Sequence, residues 1–149
     1  MYKSRFTHQL TKVLVDIMFY GGMLCCVAVP FVMTSGFFRY EEEVILPLTI
    51  IFELSGLLGV YILWQLKAMF RTILQGDPFV AVNIVCLRKC AAASLLLTLI
   101  HVVKCVFFWF TIMSAPIVII FGLLGLFCLT LKDVFKQALV YKEENDWTV

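Results

Sequence analysis

Apolar positions fill four stretches of the chain, residues 10–33, 44–66, 91–110 and 117–131, and charged or turn-forming segments separate them. The stretches are apolar all round, without the polar face that a helix on a soluble core presents. Crossing about 30 Å of hydrocarbon takes roughly 20 such residues in a helix. The pattern therefore predicts an all-α polytopic membrane protein: four transmembrane helices in an antiparallel bundle, one domain over residues 1–149, with a loop at 67–90 and a tail at 132–149. Composition agrees, since 62% of residues are hydrophobic and the mean hydropathy is +1.00, against about 45–50% apolar content in soluble domains. Lys3, Arg5 and Lys12 precede the first stretch, as they would in a signal peptide. Its apolar run from Val13 to Met33 is longer than the usual ~7–15 residues, and no small-x-small cleavage site follows, so an uncleaved helix is expected.

Charge orients the helices. Of the 12 Lys and Arg residues, Lys3, Arg5, Lys12, Lys67, Arg71, Arg88, Lys89, Lys132, Lys136 and Lys142 fall on one side of the predicted bundle, with only Arg39 and Lys104 elsewhere. Cytoplasmic loops collect such residues, which predicts that both termini and the middle loop are cytoplasmic. Glu41, Glu42 and Glu43 then face outward. Phe37, Phe38, Tyr40 and Trp109 fall at the outer boundary and Trp64 at the inner one, where amphipathic rings prefer to sit.

The middle loop carries a turn signal. In Gln75-Gly76-Asp77-Pro78-Phe79, Gly76 can close a helix in the left-handed conformation, Asp77 can cap the next helix, and Pro78 suits its first turn. Helix two is thus expected to run to about Leu74 and helix three to start at Pro78. Phe79, Val82, Asn83, Cys86, Leu87 and Cys90 recur at helical spacing, leaving Arg88 and Lys89 for the headgroups.

Two stretches resemble each other at an offset of 69 positions. Pro47-Leu48-Thr49-Ile50-Ile51-Phe52-Glu53-Leu54 aligns with Pro116-Ile117-Val118-Ile119-Ile120-Phe121-Gly122-Leu123, and Gly56 with Gly125 and Lys67 with Lys136 follow in register. This predicts two helical hairpins of like orientation, although stretches one and three do not resemble each other. Gly21, Gly22, Gly56, Gly59, Gly122 and Gly125 allow close helix approach, and such faces leave homodimerisation open.

Four ionisable side chains lie within spans: Asp16, Glu53, His101 and Lys104. They are costly in hydrocarbon and therefore candidates for function. At 1.5 Å per residue, Glu53 lies about 15 Å deep, His101 about 13 Å and Lys104 about 9 Å. A polar site built from Glu53, His101 and Lys104 would serve a small transporter or channel subunit; a structural ion pair is the plainer reading. Asp16 lies near the inner boundary, within reach of Lys12 or water. The six cysteines avoid both outer loops, which argues against a disulfide framework. Cys86 and Cys90 are an i, i+4 pair without a nearby His, which favours packing over metal. No nucleophile triad, phosphate-binding glycine loop or cofactor motif is present. No enzyme activity, no cofactor and no direct nucleic-acid binding are therefore expected, because the basic residues sit where topology requires them.

The tail Lys142-Glu143-Glu144-Asn145-Asp146-Trp147-Thr148-Val149 puts acids after the last span, against the helix dipole. Arg71, Arg88 and Lys89 are the available cations, so a tail folded back onto the middle loop is one expectation and a solvated tail the other. Gly76, Asp77, Pro78, Phe79, Asn83 and Arg88, with Glu144, Asn145, Asp146 and Trp147, resemble the motifs of the domain-of-unknown-function 2975 (YoaS-like) family of small bacterial four-helix membrane proteins. That family's pattern is a Gly-x-Pro-Phe loop with downstream Asn and Leu-Arg, and a Glu-Asn-Asp-Leu-Thr-Ile ending, from which Trp147 and Val149 depart. The resemblance implies a multi-pass protein of the bacterial inner membrane without established activity, often encoded beside a small helix-turn-helix regulator. A regulatory or sensing role through the loop and tail is what it suggests.

Overall fold

A computed structural model describes residues 2–35, 42–76, 78–107 and 114–147, with side chains for residues 9–35, 43–76, 78–107 and 114–145. All regular structure among them is helical: α1 (Tyr2–Thr34), α2 (Glu42–Leu74), α3 (Ala81–Phe107) and α4 (Ser114–Trp147). Each helix is long and apolar enough to cross a membrane. Asp77, the segment 36–41 with Phe37, Phe38 and Tyr40, and Trp109 lie outside the described residues.

In hydrocarbon every backbone polar group needs an internal partner, which leaves helix as the available form. Four hydroxyls within the spans obey the same rule. Thr49, Ser55, Thr98 and Thr130 each donate to the carbonyl four residues back, at 2.7, 2.6, 3.0 and 3.1 Å, so they add no unsatisfied donor.

The helices pack in sequence order. α1 packs on α2, α2 on α3 and α3 on α4, and among the described residues no direct packing of α1 on α3 or α4 closes the row. An apolar crevice of about 390 Å³ remains between α1, α2 and α4, lined by Gly22, Cys26, Gly56 and Val60 on one side and by Phe121 and Leu124 on the other. α3 is the central element: 39% of its span is buried, against 6–17% for the other three. Its buried residues Asn83, Leu87, Cys90, Ser94, Leu97, His101 and Lys104 alternate steps of four and three. That spacing draws one seam along the helix.

Two glycines set how closely neighbours approach. A Cβ at Gly56 would meet Cys26 Sγ of α1 at 2.8 Å, and one at Gly125 would meet Leu95 Cγ of α3 at 2.8 Å. Gly56 and Gly125 differ by 69 positions, and so do Cys26 and Leu95. The α1–α2 and α3–α4 hairpins therefore share one packing register, including the helix pair whose sequences do not resemble each other.

Two expectations change. α3 begins at Ala81 and not at Pro78, because residues 78–80 form the turn whose carbonyls Asn83 holds. α4 does not end before Lys142 but continues unbroken to Trp147, so the tail up to that residue does not fold back as a separate segment.

Candidate functional site

The loop after α2 is built from its last turn. Gln75 and Gly76 donate backbone N–H bonds to Arg71 and Ile73 at 3.3 and 3.1 Å, and Gly76 leaves the helix at φ +89°. A residue with a side chain rarely adopts that value. The chain then returns through Pro78 and Phe79 to Asn83, which is completely buried. Asn83 Nδ2 donates to the Pro78 carbonyl at 2.7 Å. Its Oδ1 accepts from the Thr72 hydroxyl at 2.9 Å, a hydroxyl that also lies 2.8 Å from the Met69 carbonyl. One amide thus ties the end of α2, the loop and the start of α3 together. Phe79 is exposed on one side and meets the ring of Phe135 on α4, with centroids 5.2 Å apart.

The candidate loop and tail surface is therefore assembled differently from its sequence reading. α4 reaches the loop through Phe135, twelve residues before Trp147, which puts Trp147 about 18 Å further along the helix axis. Arg71, Arg88, Glu144 and Asn145 are exposed. The side chains of Asp146 and Trp147, like Asp77, lie outside the described residues.

The four intramembrane ionisable groups fall into three separate places. Asp16 of α1 pairs with Lys67 of α2, Oδ1 to Nζ 2.8 Å, and Lys67 also lies 5.0 Å from the Tyr20 ring centre and 5.3 Å from that of Phe19. Its charged partner is thus not Lys12 but Lys67, which the sequence reading placed in the loop. Glu53 shares a face of α2 with Gly56 and Val60, which pack on α1 at Cys26 and Gly22. Its Oε2 is buried and has no hydrogen-bond partner among the described residues. His101 and Lys104 belong to the α3 seam. His101 Nε2 lies 3.2 Å from Ser55 Oγ, and the Ser55 proton goes to the Ile51 carbonyl at 2.6 Å. Ser55 must therefore accept, which puts the ring proton of neutral His101 on Nε2. Lys104 Nζ donates to Ser114 Oγ at 3.2 Å and sits 5.6 Å from the Phe52 ring centre.

Glu53, His101 and Lys104 consequently do not form one site. Glu53 and His101 are level along the helices to within a turn, since His101 reaches Ser55, two residues from Glu53. Rotation separates them: two residues are about 200° around a helix, so Ser55 faces α3 while Glu53 faces α1.

Sequence reasoning missed Lys67, Thr72, Ser55, Ser94, Ser114 and Phe135. Ser94 was within its reach, because it continues the seam from Asn83 and Cys90 to His101 at steps of four and three. Ser94 is fully buried, and its Oγ, like His101 Nδ1, has no hydrogen-bond partner among the described residues. Nothing in the periodicity marks the others, which depend on which helices become neighbours. No group of three His, Cys, Asp or Glu side chains that would hold a metal occurs among the described residues. Cys86, Cys90 and Cys128 are buried free thiols packed in the α2–α3–α4 core.

No curated protein and no solved structure matches the chain. Residues 11–149 match the family model described as protein of unknown function DUF2975. With nearly its whole length inside that match, and with the Asn83-clamped loop in place between four membrane-length helices, the chain belongs to the DUF2975 family.

Proposed function

We propose that this is a non-enzymatic regulatory or sensing protein of the bacterial inner membrane. In this reading the four helices form one antiparallel domain with both termini cytoplasmic. Opposed contact pairs support the antiparallel sense: Asp16 with Lys67 and Cys26 with Gly56, then Lys104 with Ser114 and Leu95 with Gly125. The excess of Lys and Arg near the Gly76 end supports the orientation.

One observation carries the functional reading. α4 has 34 residues and is about 51 Å long, while about 20 residues cross the hydrocarbon. Its last turns, rich in Lys and Glu, project beyond the bilayer as a helix braced by Phe135 against Phe79. A rigid charged helix beside a clamped loop suits a soluble protein partner. The family resemblance suggests a small helix-turn-helix regulator for that role. Transport through Glu53, His101 and Lys104 is less well supported, because Glu53 faces a different helix from the other two.

A photo-crosslinking residue in place of Tyr141, whose side chain is 65% exposed, tests the proposal in intact cells. The expected result is a discrete protein adduct that Phe135→Ala weakens, with lipid adducts alone from the same probe at Leu123. Lipid adducts alone from position 141 would reject it. An alkaline phosphatase fusion at the C-terminus should be inactive if that end is cytoplasmic.

A further inference from the structure

The crevice between α1, α2 and α4 is long, narrow and apolar. Its wall runs from Phe52 to Leu66 on α2, about 21 Å along the axis, and from Met18 to Val29 on α1, about 17 Å. These positions lie within membrane-length spans, so hydrocarbon is the medium around them. A volume of about 390 Å³ over that length leaves about 20 Å² of cross-section. A helix with its side chains is about 10–12 Å across, so no helix of a second copy enters it. Among the described residues the wall carries no charged side chain, and an apolar cavity of this kind stays dry.

Gly59 points to an occupant. Its wall neighbours Gly22 and Gly56 permit close packing, because a Cβ there would come within 3.1 Å of Val60 Cγ2 or 2.8 Å of Cys26 Sγ. Gly59 lines the same wall half-buried, yet a Cβ there would meet nothing within 4 Å. Glycine is a costlier choice than alanine inside a helix, and no protein neighbour uses the space that it leaves. That space is the width of the crevice. The Met18 and Leu66 end lies next to Lys67 in sequence, toward the end of the bundle where Lys and Arg gather, whereas the opposite end lies toward Glu43. Phosphate headgroups are drawn to the basic end.

We infer that the crevice holds one acyl chain of a phospholipid, the chain passing between Gly59 and Leu124 and the phosphate lying at the Lys67 end. One chain spans about half of the ~30 Å hydrocarbon, which the length of the wall accommodates. The inference does not depend on the role proposed for the α4 extension.

The test is native mass spectrometry of the full chain in maltoside detergent with added palmitoyl-oleoyl phosphatidylglycerol. The wild type should keep one lipid per chain at energies that strip the detergent. Gly59→Leu puts a side chain into the crevice and should lower the bound fraction about tenfold or more. Gly21→Leu makes the same enlargement on the exposed outer face of α1, where a Cβ also meets nothing within 4 Å, and should leave the lipid in place. Palmitoyl-oleoylglycerol, which lacks the phosphate, should be kept less well than the phospholipid. Because Gly59→Leu fills space without displacing protein, its thermal midpoint without lipid should be at or above wild type. If it does not fold, Gly59→Ala serves, with a smaller loss expected. A wild type that keeps no lipid, an undiminished lipid in the Gly59 variant, an equal loss in Gly21→Leu, equal retention of the two lipids, or a dimer that Gly59→Leu dissociates would overturn the inference.

Discussion

Replacing Asn83 by alanine should loosen the loop that joins the two hairpins. Asn83 is fully buried and makes two side-chain hydrogen bonds, 2.7 Å to the Pro78 carbonyl and 2.9 Å from the Thr72 hydroxyl. A neutral bond contributes about 1 kcal/mol net, and a buried acceptor left without its donor costs about 1–3 kcal/mol. Thr72 keeps the Met69 carbonyl at 2.8 Å, so only Pro78 is stranded. The expected loss is therefore about 2–4 kcal/mol. For a chain of 149 residues that lowers the thermal midpoint by roughly 5–10 °C. Asn83→Asp should cost a similar amount, because it keeps the acceptor for Thr72 and loses the donor to Pro78. Thr72→Val leaves the buried Asn83 Oδ1 without its donor and should cost a comparable amount, about 2–4 kcal/mol. Midpoints in detergent, with proteolysis at the Gln75–Phe79 loop, test the three variants. An Asn83→Ala chain within 0.5 °C of wild type and equally resistant would refute the clamp, and so would a Thr72→Val chain indistinguishable from wild type.

Two further predictions concern packing and charge. Gly125→Ala should destabilise by about 1–3 kcal/mol, because its Cβ would meet Leu95 Cγ at 2.8 Å and the Ala91 carbonyl at 3.4 Å, whereas Gly21→Ala, with nothing within 4 Å, should be neutral; midpoints measured side by side decide it. Asp16→Asn should cost under about 1 kcal/mol, since the Asp16 and Lys67 side chains are 29% and 26% exposed and screening limits such pairs. A double-mutant cycle with Lys67→Met whose coupling clearly exceeds that value would show a drier pair than the geometry implies.

The spans and the loop were legible because they depend on local chemistry. Apolar length dictates a crossing helix, and Gly76 at φ +89° is the local device its position suggests. The extension of α4 was less legible. The acids of the tail oppose the dipole, but an existing helix adds each residue without a new nucleation cost, and Lys, Glu and Gln are good helix formers. Lys67 was assigned to the loop because apolar sequence stops at Leu66. α2 runs to Leu74 as expected, but which of its faces meets α1 at Asp16 depends on how the two helices pack. The polar sites failed for a geometric reason: counting residues gives depth, whereas azimuth has meaning only once the neighbouring helices are known. α2 has two partners, so Phe52 and Ser55 go to α3 while Glu53 and Gly56 go to α1.

The shared register of the two hairpins separates scaffold from chemistry more sharply than periodicity does. At an offset of 69, Gly56 on Cys26 corresponds to Gly125 on Leu95, and the close approach is preserved in both. Polar residues do not follow that correspondence. Glu53 stands where the second hairpin has Gly122, at which a Cβ would meet Thr98 Cγ2 at 3.6 Å. His101 and Lys104 stand where the first hairpin has Val32 and Ser35, and Ser114 where it has Ile45. Positions that serve only to bring two helices together have an equivalent in each hairpin, while the buried ionisable groups occur in one hairpin alone. Packing therefore does not demand them. In a medium where each such group is costly, Lys104 with Ser114, and Glu53, whose buried Oε2 has no hydrogen-bond partner among the described residues, are where activity is to be sought inside the membrane.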